Sequence, residues 1–131
     1  MGEAALRVTE PVAEKIEVLF VDDDAGQREM YRRRLERVGY RVRLAESADV
    51  AAQEVRARRP QVVVLDIAMP GRDGLSALHE LLAIEPTLPV IINSAHSCFT
   101  DNFLAWAADA YVAKSPEIGP LLRAIEGAVA S

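Results

Sequence analysis

The sequence predicts an α/β fold in which helices cover both faces of a five-stranded parallel sheet. Short apolar runs alternate with amphipathic stretches from residue 16 to the end of the chain. This alternation is typical of strand–helix–strand units, whose strands are parallel. The run at 62–65 is apolar at every position, which indicates a strand that is buried on both faces.

The same pattern places each element in order. The predicted strands cover 16–21, 40–44, 61–65, 89–93 and 109–113. The predicted helices cover 27–38, 48–58, 75–84, 99–107 and 116–129. Gly39 is a natural stop for the first helix, and Ser47 is a good N-cap for the second. A loop rich in Gly and Pro, at 69–74, precedes the third helix.

Composition narrows the class of protein. The 131 residues fit one domain, and 50% hydrophobic with 27% charged residues is a globular balance. A net charge of −5 disfavours binding to nucleic acid or anionic membranes through bulk charge. The single cysteine, Cys98, excludes an internal disulfide, and no apolar run approaches the roughly 20 residues that cross a bilayer. We expect a cytoplasmic domain at 16–131 after a flexible extension at 1–15.

Polar side chains gather where the predicted strands end. The residues at these ends are Asp22, Asp23, Asp24, Asp66, Ser94 and Lys114. Because the carboxyl ends of parallel strands open onto one edge of the sheet, where ligands bind, we expect these side chains to converge. Capping of the next helix explains Asp24 alone, since Asp is a favoured N-cap.

This set of groups is suited to phosphoryl transfer. Neighbouring carboxylates repel each other unless a cation compensates their charge, and Mg²⁺ prefers such oxygen ligands. A lysine and a hydroxyl beside the metal supply a counter-charge and a hydrogen bond for an anion. These parts make up a phosphoryl-transfer site, and a carboxylate can itself be the nucleophile, which forms an aspartyl phosphate.

Four segments resemble the CheY-like receiver family of two-component response regulators. They are VLFVDDD at 18–24, VLDIAMPGRDG at 64–74, LPVIINSA at 88–95 and YVAK at 111–114. They occur in the family's order and at about its spacing, and the resemblance runs from about residue 16 to 129. It implies a doubly wound, flavodoxin-like sheet with strand order 2-1-3-4-5 and five helices.

The resemblance also implies the roles of the acidic residues. Asp66 matches the phospho-acceptor of the family. Asp22 and Asp23 match the acidic pair that holds Mg²⁺ together with Asp66. The backbone carbonyl of Ala68 stands where the family offers the metal a further oxygen.

The remaining site residues match the parts that respond to phosphorylation. Ser94 and Lys114 match the hydroxyl and the lysine that contact the phosphoryl group. Tyr111 matches the aromatic residue that changes rotamer with Ser94 on activation. By resemblance, Ala68 and His96 stand at the two positions that flank the acceptor and tune the rate of phosphate loss. Ala68 is too small to shield the phosphate or to orient a water, whereas His96 can do either; the alternative is that His96 points to solvent and does nothing.

The implied function is a phosphorylation-dependent signalling switch rather than a metabolic enzyme. Asp66 would accept a phosphoryl group from a sensor histidine kinase or a phosphotransfer protein, and the domain would catalyse its own phosphorylation and dephosphorylation. A homodimer could form through the predicted fourth helix, fifth strand and fifth helix. We expect no nucleic-acid or membrane partner for this domain and no effector domain after the last helix.

Two other functions are weighed against this one. A phosphohydrolase of the haloacid dehalogenase type needs a second Asp two residues after its nucleophile, where this chain has Ala68. A pseudo-receiver that only binds partners would be expected to have lost an acidic residue, Ser94 or Lys114, and none is missing. This alternative stays open because Ser115 departs from the family's pattern.

One departure from the family's pattern follows the lysine. The family usually continues with proline, often through a cis bond, whereas this chain continues Ser115–Pro116. A cis bond before a residue other than proline costs about 3 kcal/mol, so we predict a trans Lys114–Ser115 bond. Ser115 as N-cap and Pro116 at the first helical position are expected to begin the last helix.

Overall fold

A computed structural model of the protein describes residues 16–66, 74–95 and 108–130. The strands are β1 (Glu17–Val21), β2 (Arg41–Ala45), β3 (Val62–Leu65), β4 (Val90–Ser94) and β5 (Ala110–Ala113). The helices are α1 (Ala25–Arg37), α2 (Ala48–Ala57), α3 (Gly74–Ile84) and α4 (Gly119–Ala130). None of the helices in these ranges is long and apolar enough to cross a membrane.

The five strands form one parallel sheet in the order β2-β1-β3-β4-β5, which confirms the predicted fold. The β1–β3 ladder pairs Val21 with Leu65. It continues for one more hydrogen bond, from the Asp66 N–H to the Val21 carbonyl at 3.0 Å. Asp22 and Asp66, the residues that follow this last pair, are therefore brought side by side where the two strands end.

Alternate strand residues fill two apolar layers, one on each face of the sheet. The layer under α1 and α4 contains Val18, Phe20, Tyr31, Leu35, Val62, Val64, Ile91, Leu121 and Ile125. The layer under α2 and α3 contains Leu19, Val21, Ala51, Val55, Val63, Leu65, Leu78, Leu81, Val90 and Ile92, among others. The three central strands, β1, β3 and β4, are buried along their whole length because both faces are covered, as the apolar run at 62–65 predicted. The edge strands β2 and β5 are more exposed.

Polar residues begin the first two helices as predicted. The Asp24 carboxylate accepts a hydrogen bond from the Gln27 N–H at 3.1 Å and so caps α1. The Ser47 hydroxyl accepts one from the Val50 N–H at 3.2 Å and caps α2. Gly39, just after α1, has φ +108°, a conformation that side-chain-bearing residues rarely adopt.

The start of the last helix was predicted wrongly. It begins at Gly119 rather than at Pro116, and Ser115 does not cap it. The Ser115 hydroxyl instead accepts from the Glu117 N–H at 3.1 Å in a separate turn. Arg34 of α1 donates to the Pro116 carbonyl at 2.7 Å, a contact between this turn and a distant helix. The Lys114–Ser115 bond is trans, as predicted, because no cis bond occurs among the described residues.

Two predicted parts lie outside the described residues. They are the extension at 1–15 and the helix at 99–107. Within the described ranges the structure therefore has four of the five predicted helices.

Candidate functional site

The predicted acidic residues meet at the carboxyl ends of β1 and β3. Asp22 is 1% exposed and Asp66 is 6% exposed, whereas Asp23 faces solvent. One carboxylate oxygen from each of the three lies within 4.8 Å of the other two. We call these three residues, together with Lys114, the carboxyl-edge cluster.

Lys114 follows β5, at the edge of the sheet, and its side chain extends to the acidic residues after β3 and β1. Its Nζ lies 2.9 Å from Asp22 Oδ2 and 3.3 Å from Asp66 Oδ2. Its backbone N–H donates to the Ser94 carbonyl at 3.0 Å, which fixes the start of its side chain at the end of β4. Burial acts most strongly on the pKa of Lys114 and lowers it, but the hydrogen bonds and charges of Asp22 and Asp66 together outweigh it and raise the pKa. The ammonium group therefore stays charged between the carboxylates.

The backbone around Asp22 is held by two further contacts. The Asp24 N–H donates to Asp22 Oδ1 at 3.0 Å, and Arg28 Nη1 donates to the Asp22 carbonyl at 2.8 Å. The sequence analysis did not identify Arg28. The available signal was an arginine in the first helical turn after an acidic run, where its side chain can reach back to the strand end.

The donor set fits a hard divalent cation. Three carboxylates face one ammonium group, so the carboxyl-edge cluster carries excess negative charge. An octahedral Mg²⁺ with bonds of about 2.1 Å separates neighbouring ligand oxygens by about 3 Å and opposite ones by about 4.2 Å. The observed spread of the carboxylate oxygens is compatible with this geometry after small side-chain movements. Asp22, Asp23 and Asp66 could therefore hold a metal ion.

Ser94 and Tyr111 lie on the neighbouring strands β4 and β5, Ser94 at the carboxyl end of its strand and Tyr111 two residues before the end of its own. Ser94 is the last residue of β4, has no exposed surface and pairs with Ala113 in the ladder. Tyr111 pairs with Ile92, is half-buried and packs against the layer under α2 and α3. Ala68 and His96, the other two predicted site residues, lie outside the described residues.

Curated relatives share the sequence across most of the chain. The match to response regulator MprA of Mycolicibacterium vanbaalenii is 35% identical over 109 residues, which cover 82% of this chain and 47% of the relative. The probable transcriptional regulatory protein TcrX of Mycobacterium tuberculosis is 36% identical over 101 residues, 76% of this chain and 43% of the relative. The chain thus spans about half the length of the curated relatives that it matches.

Solved structures share the fold. The response regulator protein TrrA of Thermotoga maritima, in complex with Mg²⁺ and BeF, superposes with a TM-score of 0.83 at 30% identity. This comparison covers 86% of this chain and 98% of TrrA. TrrA in complex with the histidine kinase ThkA gives a TM-score of 0.82 at 30% identity, with 87% of this chain and 98% of the other covered.

A match to a known domain family spans the strands and helices described above. Residues 18–126 match the response regulator receiver domain, a range that runs from β1 into α4 and includes Asp22, Asp66 and Lys114. The predicted resemblance to CheY-like receivers is therefore confirmed, and the chain belongs to the response regulator receiver domain family.

Proposed function

We propose that this domain is a switch that is turned on when Asp66 accepts a phosphoryl group in a Mg²⁺-dependent reaction. The observation that supports this most directly is the unbalanced charge of the carboxyl-edge cluster, with three carboxylates around one lysine. An ion-pair cluster built only for stability has no need of the extra negative charge. The excess suits a site that takes up a cation together with a phosphoryl group.

The transfer step requires little from the protein except position and charge. A carboxylate oxygen of Asp66 forms a bond to phosphorus while the P–N bond of a phosphohistidine donor breaks, and the departing imidazole nitrogen keeps the electron pair. Asp22, Asp23 and Asp66 would hold Mg²⁺, which would supply positive charge for the phosphoryl oxygens. Lys114, already 3.3 Å from Asp66, places a second positive charge beside the same oxygens. In this way the domain would catalyse its own phosphorylation. In dephosphorylation, a water oxygen would bond to phosphorus while the P–O bond to Asp66 breaks, which releases inorganic phosphate and restores the carboxylate.

We propose Ser94 and Tyr111 as the residues that transmit the change. Ser94 ends β4, and its carbonyl accepts a hydrogen bond from the Lys114 N–H. A shift of Lys114 toward a phosphoryl group would therefore also displace Ser94. Tyr111 is half-buried on the adjacent strand, where a change of rotamer would alter the surface. Two such states, with phosphorylation favouring one of them, are sufficient for a signalling switch.

The partner we propose is a sensor histidine kinase or a phosphotransfer protein. The complex of TrrA with a histidine kinase supports this choice, since TrrA resembles this chain over nearly its whole length. Because such kinases draw on ATP, we place the reaction in the cytoplasm. A homodimer through the face of the predicted fourth helix, β5 and α4 remains part of the proposal. So does tuning of phosphate loss by Ala68 and His96.

Phosphoramidate, whose P–N bond mimics phosphohistidine, tests the acceptor assignment. With Mg²⁺, we expect the wild-type chain to gain one phosphoryl group by intact-mass spectrometry and Asp66→Asn to gain none. Asp24→Asn is the matched control, because Asn caps a helix as well as Asp and the site keeps its carboxylates. Phosphorylation of Asp66→Asn at the wild-type rate would refute the assignment.

A further inference from the structure

Asn93 is an amide buried in the apolar strand that ends beside the site. It is 2% exposed and follows Val90, Ile91 and Ile92 in β4. Its Nδ2 has no hydrogen-bond partner among the described residues. Buried side-chain donors are nearly always paired, because an unpaired one loses its contacts with water and gains nothing in return. An amide at this position therefore destabilises the folded chain relative to an apolar residue. Its presence in β4 points to a role that requires the donor.

The register of the sheet places Asn93 beside Asp66. The β3–β4 ladder pairs Leu65 with Ile92, so the next residues along, Asp66 and Asn93, are neighbours. Strand side chains alternate between faces, and Ile91 packs in the layer under α1 and α4. Asn93 therefore projects to that same face, as does its partner on β5, Val112, which packs against the same layer.

The side chain of Lys114 passes over this position. Lys114 follows β5, yet its Nζ contacts Asp66 after β3 and Asp22 after β1. Since β4 lies between β5 and β3, the lysine side chain must cross the end of β4 to make these contacts. By register, Asn93, whose Nδ2 has no partner among the described residues, therefore lies at the strand position next to the proposed acceptor, at the strand end that the Lys114 side chain crosses.

We infer that Asn93 is a positioning residue whose amide donates to the Asp66 carboxyl group in the phosphorylated state. The inference rests on the proposed role of Asp66 as acceptor. Before phosphorylation, Lys114 bonds to the Asp66 carboxylate, and Nδ2 has no acceptor within 16–66, 74–95 and 108–130. After phosphorylation, the new phosphoryl oxygens compete for the lysine, and the Asp66 carbonyl oxygen that the lysine leaves takes the amide as its donor. Asn93 thereby favours the phosphorylated state at the expense of the unmodified one.

Asn93→Val tests this inference, because it replaces the amide donor with an apolar side chain that suits a buried strand. Binding of Mg²⁺ with beryllofluoride, which mimics the phosphoryl group, is measured by calorimetry alongside the melting temperature of the unmodified chain. We expect the affinity to fall about fivefold, as for the loss of one hydrogen bond between uncharged groups. The melting temperature of the unmodified chain should stay the same or rise. A residue with only a structural role would not separate these two readouts.

Two further variants complete the test. Asn93→Leu repeats it with a different apolar shape, and Ile91→Val, on the same face of β4, controls for general repacking. Three results would overturn the role of Asn93 and leave the proposed function intact. They are variants at Asn93 that bind as tightly as wild type, that melt earlier, or that lose no more affinity than Ile91→Val. A wild-type chain that does not bind Mg²⁺ with beryllofluoride would overturn the proposed function, and the inference with it.

Discussion

The two ends of β1 each carry a buried acidic residue, and they differ in how its charge is balanced. At the amino end, Glu17 lies 2.7 Å from Arg58 and 3.3 Å from Arg43, and Arg43 also binds Glu54 at 2.8 Å. We call these four residues the amino-edge cluster. At the carboxyl end, Asp22 shares Lys114 with Asp66 and has Asp23 beside it.

The contrast separates a cluster that supports the fold from one that is open to a ligand. The amino-edge cluster pairs two carboxylates with two guanidinium groups, so it needs no further ion. The pKa of Glu17 reflects this balance of charge. The hydrogen bond from Arg58 is the main cause that lowers the pKa, burial opposes it, and the charge of Arg43 lowers it further. The carboxyl-edge cluster has one cation too few, which leaves it ready for a divalent metal.

The largest effect is expected from Lys114→Met. This change leaves the buried carboxylates of Asp22 and Asp66 facing each other with no cation, which should cost about 3 kcal/mol of the free energy of unfolding at pH 7. Urea unfolding with and without Mg²⁺ measures it, and Mg²⁺ should restore part of the loss. Arg58→Met is the matched control and should cost much less, because Arg58 is largely exposed and Glu17 keeps Arg43.

Glu17→Gln should have a smaller effect that depends on pH. A pKa lowered in the folded state means that the carboxylate stabilises the fold above its ordinary value of 4.5, and that this stability is lost as the pH falls through the lowered pKa. The variant should therefore be about 1 kcal/mol less stable than wild type near pH 7. The difference should shrink below pH 4.5. Unfolding curves with a gap that stays constant down to pH 3 would contradict the ionic role of Glu17.

The smallest effect is expected from His96→Ala. The resemblance to receiver domains assigns His96 to a position beside the acceptor. A histidine beside the acceptor can shield the phosphoryl group or orient water, and its charge changes near neutral pH. Replacing it should change the rate of phosphate loss severalfold and leave Mg²⁺ affinity almost unchanged. Phosphate-loss kinetics at two pH values on either side of 6.5 decide this. Identical lifetimes in both proteins would make His96 an ordinary loop residue.

Local patterns were sufficient to predict the sheet and most of the site. The short apolar stretches located each strand to within one residue at either end. The signal is strongest in β1, β3 and β4, because strands that are buried on both faces are almost continuously apolar. The strand ends then brought Asp22, Asp66 and Lys114 together as a direct result of parallel topology. Asp24 and Ser47 were predictable caps because capping depends on neighbours only three residues away.

Contacts between distant residues were not predictable in this way. The last helix starts three residues later than predicted, and Arg34, which is 82 residues away, binds the turn before it. The partners of Glu17 are Arg43 and Arg58, on a different strand and just after a helix. A glutamate or an amide inside an apolar strand is the one sequence signal that would have pointed to Glu17 and to Asn93.

The most direct test of the account is the dependence of thermal stability on Mg²⁺ in four chains. If the carboxyl edge lacks two positive charges, which one Mg²⁺ supplies, Mg²⁺ should stabilise wild type by about 1.4 kcal/mol for each tenfold increase in concentration above the Kd. Glu17→Gln should respond as wild type does, because its charge belongs to the balanced edge. Asp23→Asn and Asp66→Asn should respond only at much higher Mg²⁺ concentrations. A wild-type chain that Mg²⁺ does not stabilise, or an Asp66→Asn chain that responds equally well, would contradict the account.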